Sequence, residues 1–190
     1  MRFFGLGGEI VPESSKTTFH YIVTHPAESR VFVALVAAVG SGACIGLLAW
    51  LDDILKGDYA LIAPFGASMV LVFGLPKSPL AQPKNVIWGH VLTAIIGVTC
   101  LSFLPVTFWS VGLAVGLGVF GMIVLRVTHP PAGGNPILIM LGGHSSFLFV
   151  LYPVLVGSLL IVGFALFYHR FISRLEYAGY NPVKEIISDE

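Results

Sequence analysis

The chain has 190 residues, of which 56% are hydrophobic and 11% charged, and its formal net charge is zero. Soluble globular domains have roughly a quarter charged residues, so this composition excludes a soluble globular protein and indicates one embedded in a lipid bilayer. Without an excess of basic residues, nucleic acid is not an expected partner.

Residues 1–30 are predicted to form a cytoplasmic or interfacial segment. They contain Glu9, Glu13 and Glu28 and lack an apolar core of seven residues, so they resemble neither a cleaved signal nor an acid-poor transit peptide. We therefore expect a prokaryotic cytoplasmic-type membrane. Residues 14–23 are consistent with a short interfacial helix or, equally, with a surface turn.

Six apolar runs follow. Four of them, residues 31–50, 86–104, 106–125 and 147–168, have about the ~20 residues needed to cross a bilayer. Two shorter runs, residues 59–75 and 132–143, contain Pro or Gly in their first halves and are consistent with full spans, half-helices or re-entrant loops.

The basic residues favour six crossings. With both termini in the cytoplasm, Lys56 is the one basic residue of the ten that falls outside, as the positive-inside rule expects. We predict an all-α polytopic membrane protein with about six crossings, two of them short Gly/Pro-broken helices, over residues 31–170. Residues 171–190 are predicted to form a cytoplasmic tail.

The membrane region is predicted to consist of two inverted three-helix repeats, residues 31–104 and 106–170. Residues 66–74 match residues 134–142 in form, with Gly at both ends of an eight-residue step and a polar residue near the start. Three crossings per half give the halves opposite directions. The alternative is that two Gly-rich apolar segments resemble each other by composition alone.

Glycines spaced four apart occur in two of the spans. Gly42 with Gly46, and Gly112 with Gly116, let a neighbouring helix backbone approach closely. We predict packing inside one bundle at these positions, rather than contacts between subunits. Assembly of several copies with rotational symmetry is left open.

The two breaks are the predicted substrate site. Non-helical backbone at membrane depth occurs only where protein buries it or where it lines a cavity, and a short helix that starts there presents N–H groups and a positive dipole end. Two such helix N-termini, one from each half, suit a small monovalent anion. The alternative is that the breaks only ease helix packing. The predicted substrate-binding residues are Pro64, Phe65, Gly66, Ala67, Ser68, His129, Pro130, Pro131, Gly133, Gly134 and Asn135.

Ionisable side chains in the spans are the default functional candidates in a membrane protein. No Asp or Glu lies in a predicted span, so a carboxylate relay for protons or a carboxylate cage for metal cations is hard to build. His90, Arg126 and Asn85 are the candidate pathway residues. The alternatives are a structural pairing for His90, an interfacial position for Arg126 and a solvated loop for Asn85, while His129 would bond a carbonyl freed by the break.

Neither a cofactor, a metal nor an enzymatic activity is expected. The spacing of His90, His129 and His144 fits no compact ligand pattern, and Cys44 and Cys100 are predicted to be small buried hydrophobes. No nucleophile elbow, zinc-protease or phosphate-loop motif occurs.

Four motifs, in order, resemble the HPP family of small integral membrane proteins. They are Pro-Phe-Gly-Ala-Ser at 64–68, Gln-Pro-Lys-Asn at 82–85, Gly-His at 89–90 and Thr-His-Pro-Pro-Ala-Gly at 128–133, within a resemblance that covers residues 28–170. Members have been associated with nitrite transport in chloroplasts and cyanobacteria. The resemblance therefore implies transport of nitrite, and a non-transporting scaffold or partner subunit is the alternative.

Overall fold

The structure is a computed structural model and describes residues 27–55 and 61–179. Within these ranges the chain is helical and has no strand, which confirms the all-α polytopic fold. The predicted interfacial helix at residues 14–23 lies outside the described residues. The α-helices of the described ranges are α1 (Ala27–Leu55), α2 (Ala63–Met69), α3 (Pro83–Phe103), α4 (Phe108–Val124), α5 (Asn135–Gly142) and α6 (Val156–Tyr168).

Three helical stretches in the described ranges are long and apolar enough to cross a membrane, namely Arg30–Ile54, Pro83–Phe103 and Val150–Ser173. The remaining long run, residues 106–125, forms only the 17-residue helix α4. It starts late because Thr107 caps it, in a reciprocal pair of hydrogen bonds with Ser110. At 1.5 Å per residue, α4 is about 25 Å long, slightly less than the hydrocarbon thickness.

Each predicted break is a short helix with one irregular turn. The first, Ala63–Gly74, begins as α2 and ends in a π-helical turn, Val70–Gly74. The second begins with a 3₁₀ turn, Pro130–Gly134, and continues as α5. The order long, short, long therefore occurs twice, once in α1 to α3 and again in α4 to α6. The opposite direction of the two halves stays a prediction.

Helix α3 lies at the centre of the bundle, where it packs against α4, α5 and α6. Helix α1 packs against the π turn after α2 and against α6. The core is apolar, and large apolar side chains also cover the outside, as expected of a surface that faces lipid. Among the latter are Phe32, Trp88, Phe108, Phe120 and Leu148.

The predicted packing at the glycine pairs is wrong. At Gly42, Gly46, Gly112 and Gly116, no described atom lies within 4 Å of where a Cβ would stand. These glycines face outward because the helices touch along other faces. Close approach occurs instead at other glycines, for example at Gly97, where a Cβ would lie 3.0 Å from Pro136 Cα. Similar contacts occur at Gly40, Gly118 and Gly121.

The last helix continues beyond the predicted end of the membrane region at residue 170. A π-helical turn, His169–Ser173, follows α6, and Arg174 ends it in the left-handed conformation at φ 54°. Beyond it, Glu176 forms an ion pair with Lys77 of the loop between α2 and α3, at 3.1 Å. The chain after Arg174 therefore returns to the bundle, and the cytoplasmic tail at residues 171–190 stays a prediction.

Candidate functional site

The two breaks meet in the folded protein. Helix α2 packs against the 3₁₀ turn Pro130–Gly134. At Gly134, a Cβ would lie 3.4 Å from Pro64 Cγ, within van der Waals contact, so the two breaks lie directly against each other here. Residues that are 61 or more apart in the sequence, such as Ser68 and His129, thereby come into contact.

Five polar side chains meet where the breaks join α3, and we call them the polar centre. They are Ser68, His90, Thr93, His129 and Asn135, each with 0% of its surface exposed. Ser68, His129 and Asn135 were predicted as substrate-binding residues, and His90 as a pathway residue. Thr93 was missed, although it stands three residues after His90 and thus on the same face of α3.

His129 links the second break to both the loop and the first break. Its Nδ1 lies 2.7 Å from the Leu80 carbonyl oxygen, and its Nε2 lies 2.8 Å from Ser68 Oγ. Leu80 belongs to a 3₁₀ turn, Pro79–Ala81, in the loop before α3. The sequence-based alternative, a histidine bonded to a backbone carbonyl, is therefore observed, together with a second bond to a side chain.

His90 links the first break to α5. Its Nε2 lies 3.0 Å from Ser68 Oγ, and its Nδ1 lies 3.1 Å from Asn135 Nδ2. The same amide nitrogen lies 3.0 Å from both the His90 carbonyl oxygen and Thr93 Oγ1, so its two hydrogens are shared among three acceptors. The ring of Phe65 packs edge-on against His90, with centroids 5.1 Å apart. His90 is therefore the junction of α2, α3 and α5.

The orientation of the Asn135 amide follows from its neighbours. Were its oxygen and nitrogen exchanged, the oxygen would face the His90 carbonyl oxygen, and two acceptors would oppose each other. With the nitrogen placed there, Asn135 Oδ1 is buried and has no hydrogen-bond partner among the described residues. The polar centre thus contains one unsatisfied acceptor.

Gly89 explains how the second break reaches so deep between the helices. A Cβ at Gly89 would lie 2.9 Å from His129 Cβ and 3.0 Å from the Val127 carbonyl oxygen. Any other residue would therefore push the turn with His129 away from α3. The Gly-His pair in the sequence accordingly has a packing role at its first residue and a bonding role at its second.

Of the other predicted substrate-binding residues, Pro64 and Phe65 are buried, and the remaining six form a more accessible set beside the polar centre. Gly66, Ala67 and Pro130 are exposed, whereas Pro131, Gly133 and Gly134 are half-buried. No described atom lies within 4 Å of a Cβ placed at Gly66 or at Gly133. Neither α2 nor α5 has a side-chain cap at its N-terminus. Backbone of both breaks is therefore open on one side and backed by the polar centre on the other.

Two of the predicted pathway residues lie apart from the polar centre. Arg126 is exposed at the end of α4 and has a positive φ of 55°. Asn85 donates from Nδ2 to the Pro79 carbonyl oxygen at 2.9 Å, and Gln82 bonds two further carbonyls of the same loop. Asn85 thus fastens the loop with the Leu80 carbonyl, which is the partner of His129.

A third buried histidine, His169, was not singled out from the sequence. Its Nε2 lies 2.9 Å from the Val72 carbonyl oxygen and its Nδ1 lies 2.8 Å from Ser173 Oγ. Its ring contacts those of Phe73, Tyr168 and Tyr177. We call these five side chains, with Ser173 included, the His169 cluster. Burial raises the pKa of the Tyr177 hydroxyl above its ordinary value.

The remaining residues considered for metal or disulfide chemistry are separate from both groups. Cys44 and Cys100 are buried and unpaired and pack in apolar clusters, as predicted. His144 stacks on Phe149 with ring centroids 4.3 Å apart. Within residues 27–55 and 61–179, no three His, Cys, Asp or Glu side chains group closely enough to hold a metal ion.

Comparison with known proteins gives a consistent family. The family model for the HPP transmembrane region matches residues 26–178. A transmembrane protein of Dictyostelium discoideum is 36% identical over 127 residues, which cover 63% of this chain and 45% of that protein. A second one from the same organism is 33% identical over 140 residues, or 70% of this chain and 45% of the relative. The chain spans less than half the length of these curated relatives, and no solved structure matches it.

Proposed function

The chain belongs to the HPP family of transmembrane proteins, and from that premise we propose that it transports a small monovalent anion, nitrite first, across the membrane between its two broken helices. The meeting of the two breaks at the polar centre is the observation that supports this most directly. Both short helices begin without a side-chain cap, and the polar centre between the breaks has polar side chains but no Asp, Glu, Lys or Arg. No enzymatic step, cofactor or metal is part of the proposal.

Nitrite suits such a site for physical reasons. It is small, planar and singly charged, so a few N–H and O–H donors can replace its hydration shell. A site made of backbone dipoles and neutral side chains binds a monovalent anion more weakly than one with a lysine or arginine. Weak binding lets the anion leave on the other side, which transport requires.

The route includes the accessible set and then the polar centre. Gly66 and Gly133 have open space beside their backbones and offer the first contacts. The polar centre itself is closed, so the anion reaches it only when the breaks move. The irregular turns Val70–Gly74 and Pro130–Gly134 are where such movement is easiest, because their hydrogen-bond patterns depart from the regular helix.

The proposed membrane is a prokaryotic cytoplasmic one, with both termini on the cytoplasmic side. The distribution of Lys and Arg supports this orientation. With this orientation, Lys77 in the loop between α2 and α3 and Lys84 in the first turn of α3 lie on the cytoplasmic side. Two cations near the route would raise the local concentration of an anion there.

Uptake into liposomes tests the proposal. The full chain, purified and reconstituted, is expected to give nitrite uptake that saturates and exceeds uptake by empty liposomes. Nitrate, formate, chloride and bicarbonate, tested in competition, would establish the selectivity. Nitrite uptake equal to that of empty liposomes would overturn the proposal and favour the non-transporting scaffold or partner subunit.

A matched pair of variants tests the site. Asn135→Ala removes the amide that joins α5 to His90 and Thr93, and we expect uptake to fall by about tenfold or more, equivalent to ~1.4 kcal/mol. Thr99→Val is the control, because the Thr99 hydroxyl only donates to the Ile95 carbonyl on the same helix α3. Equal uptake by the two variants would place the route elsewhere.

A further inference from the structure

The Ser68 hydroxyl has three hydrogen-bonding neighbours but only one hydrogen to donate. Ser68 Oγ lies 2.8 Å from His129 Nε2, 3.0 Å from His90 Nε2 and 3.2 Å from the Pro64 carbonyl oxygen. A hydroxyl donates one hydrogen bond and accepts two. The hydrogen positions of the whole polar centre can therefore be worked out by elimination.

The Leu80 carbonyl oxygen can only accept a hydrogen bond. His129 Nδ1 must bear a hydrogen to bond it, so in the neutral ring His129 Nε2 is an acceptor. Ser68 therefore donates to His129 Nε2. Its hydrogen is then used, and His90 Nε2 must donate to Ser68 Oγ. His90 Nδ1 is left as the acceptor for the Asn135 amide.

The result is a chain of four hydrogen bonds that all run in one direction. It leads from Asn135 through His90, Ser68 and His129 to the Leu80 carbonyl. The two histidines are opposite tautomers, with the hydrogen on Nε2 in His90 and on Nδ1 in His129. At the start of the chain, Asn135 Oδ1 is an acceptor without a donor, which a protonated species or water could satisfy and a bare anion could not.

One member of this chain can take a proton without any heavy atom moving. A proton added to His129 Nε2 finds Ser68 Oγ already in place as its acceptor. The Ser68 hydrogen then turns to the Pro64 carbonyl, 3.2 Å away. Ser68 Oγ would accept from both histidines and donate once, which is the full capacity of a hydroxyl.

His90 has no such alternative. A proton on His90 Nδ1 would face the Asn135 amide nitrogen, and both groups would be donors. The groups that face His129 are Ser68 from α2, His90 from α3 and the Leu80 carbonyl from the loop. The groups that face His90 are Phe65, Ser68, His129 and Asn135. Among the described residues, no carboxylate, lysine or arginine contacts either ring.

A charge in this region therefore lacks a partner from the protein. An isolated positive charge on His129 is costly in the interior, and so is an isolated anion. Each offsets the cost of the other when both are present. Binding of a proton and binding of an anion are then thermodynamically coupled, since each raises the affinity for the other.

From these contacts, and on the basis of the proposed nitrite transport, we infer that the anion crosses together with one proton, which His129 Nε2 accepts while the Ser68 hydroxyl switches to the Pro64 carbonyl. The proton comes from the solution on the side of entry and returns to the solution on the other side. No bond of nitrite is made or broken, and no electron is transferred. The transported pair has no net charge.

Nitrogen NMR of the histidine rings tests the hydrogen-bond chain without any transport measurement. In the full chain with ¹⁵N-labelled histidine, the shifts of His90 and His129, assigned through single variants, should report opposite tautomers. His169 provides an internal reference, because its bond to the Val72 carbonyl fixes the hydrogen on Nε2. The same tautomer in His90 and His129 would overturn the inference whatever the transport results.

Flux measurements in proteoliposomes separate the inference from the proposed function. We expect a pH gradient to drive nitrite uptake, with one proton per nitrite recorded by an internal pH dye, and a potassium diffusion potential to leave uptake unchanged. Values are corrected for nitrous acid that crosses empty liposomes. Uptake that follows the potential without proton movement would overturn the inference alone. No uptake under either gradient would overturn both.

Serine variants test the switch itself. Ser68→Ala should lower proton-coupled uptake by about tenfold or more. Ser158→Ala is the matched control, because this buried hydroxyl donates only to the Leu155 carbonyl at 2.9 Å, and Ser68→Thr should restore uptake in part. An unchanged ratio of protons to nitrite in a folded Ser68→Ala protein would overturn the inference. If that variant does not fold, the measurements on the wild type still decide.

Discussion

The polar centre and the His169 cluster each bury a histidine that bonds a backbone carbonyl, yet the two histidines use their second nitrogen differently. His129 bonds the Leu80 carbonyl at 2.7 Å, and His169 bonds the Val72 carbonyl at 2.9 Å. The second nitrogen of His129 contacts Ser68, which in turn contacts another histidine. That of His169 contacts Ser173, one turn later on its own helix.

His169 only fixes one backbone carbonyl, and we call such a residue an anchor. His129 instead belongs to a network of hydrogen bonds between separate segments. Val72 lies in the π turn Val70–Gly74, where the helical pattern is interrupted, so His169 satisfies a carbonyl that lipid would leave without a partner. Its remaining bond, to Ser173, is local, and Ser173 Oγ also accepts from the Leu175 N–H two residues later. The bonds of Ser68 connect segments 22 and 61 residues apart and have two arrangements of one hydrogen. Of these two histidines, His129 is therefore the stronger functional candidate, because its second nitrogen connects separate segments of the chain.

The largest expected effect comes from variants of His129 and His169 that keep the hydrogen bond to the backbone carbonyl but lack the other ring nitrogen. In His129→Asn the amide nitrogen takes the place of Nδ1, and in His169→Gln it takes the place of Nε2. Since only the first change interrupts the network, nitrite uptake per folded protein should fall by about tenfold or more in His129→Asn and stay within about twofold in His169→Gln. Equal losses in the two variants would mean that both histidines are anchors.

A methyl group added at a tightly packed glycine should affect nitrite uptake in one region and not in the other. Gly89→Ala places a Cβ 2.9 Å from His129 Cβ and 3.0 Å from a backbone oxygen, and Gly40→Ala places one 2.6 Å from Phe73 Cδ1. Both should destabilise the protein by about 1–3 kcal/mol, but only Gly89→Ala should also lower uptake. Gly116→Ala, where the space is open, should be neutral or stabilising by up to ~1 kcal/mol. Thermal unfolding in detergent, with uptake measured on the same samples, checks all three.

Much of the fold was predictable because it depends on composition and spacing. The apolar runs and the Pro and Gly at both breaks predicted the helical class and the order long, short, long. The predicted contacts of Gly112 and Gly116 were wrong because a spacing of four shows which glycines share a face, not which face meets a neighbour. The length of α4 depends on the Thr107 cap, a local interaction that hydropathy does not contain.

The site was predictable residue by residue but not as a network. Ser68, His90, His129 and Asn135 stood out as polar residues in apolar surroundings, and each has a bond that joins separate segments. Which atoms meet depends on how far the second break inserts, and that distance depends on Gly89. Thr93 was missed because a hydroxyl that bonds its own helix backbone is ordinary in a membrane helix, and His169 was missed because it lies one residue beyond the predicted span 147–168.

A smaller effect is expected from the His169 cluster alone. The Tyr168 hydroxyl donates to the Val36 carbonyl at 2.7 Å and so joins α6 to α1. Tyr168→Phe removes this interhelical bond, and the expected loss of stability is about 0.5–1.5 kcal/mol, with uptake unchanged. Denaturation in detergent measures the first quantity, and liposome uptake the second. A loss of uptake would show that the cluster is more than an anchor.

The smallest effect concerns an ion pair between the loop beside the polar centre and the chain segment of the His169 cluster. Lys77 shares its loop with Leu80, the carbonyl partner of His129, and its ion-pair partner Glu176 precedes Tyr177 of the His169 cluster. Because the two side chains are 61% and 65% exposed, the pair should contribute at most about 1 kcal/mol, and less as salt is added. A double-mutant cycle with Lys77→Met and Glu176→Gln measures this coupling. A larger coupling, or a change in uptake in either variant, would show that the loop transmits changes from the His169 cluster to the polar centre, and the two regions could then no longer be treated as independent.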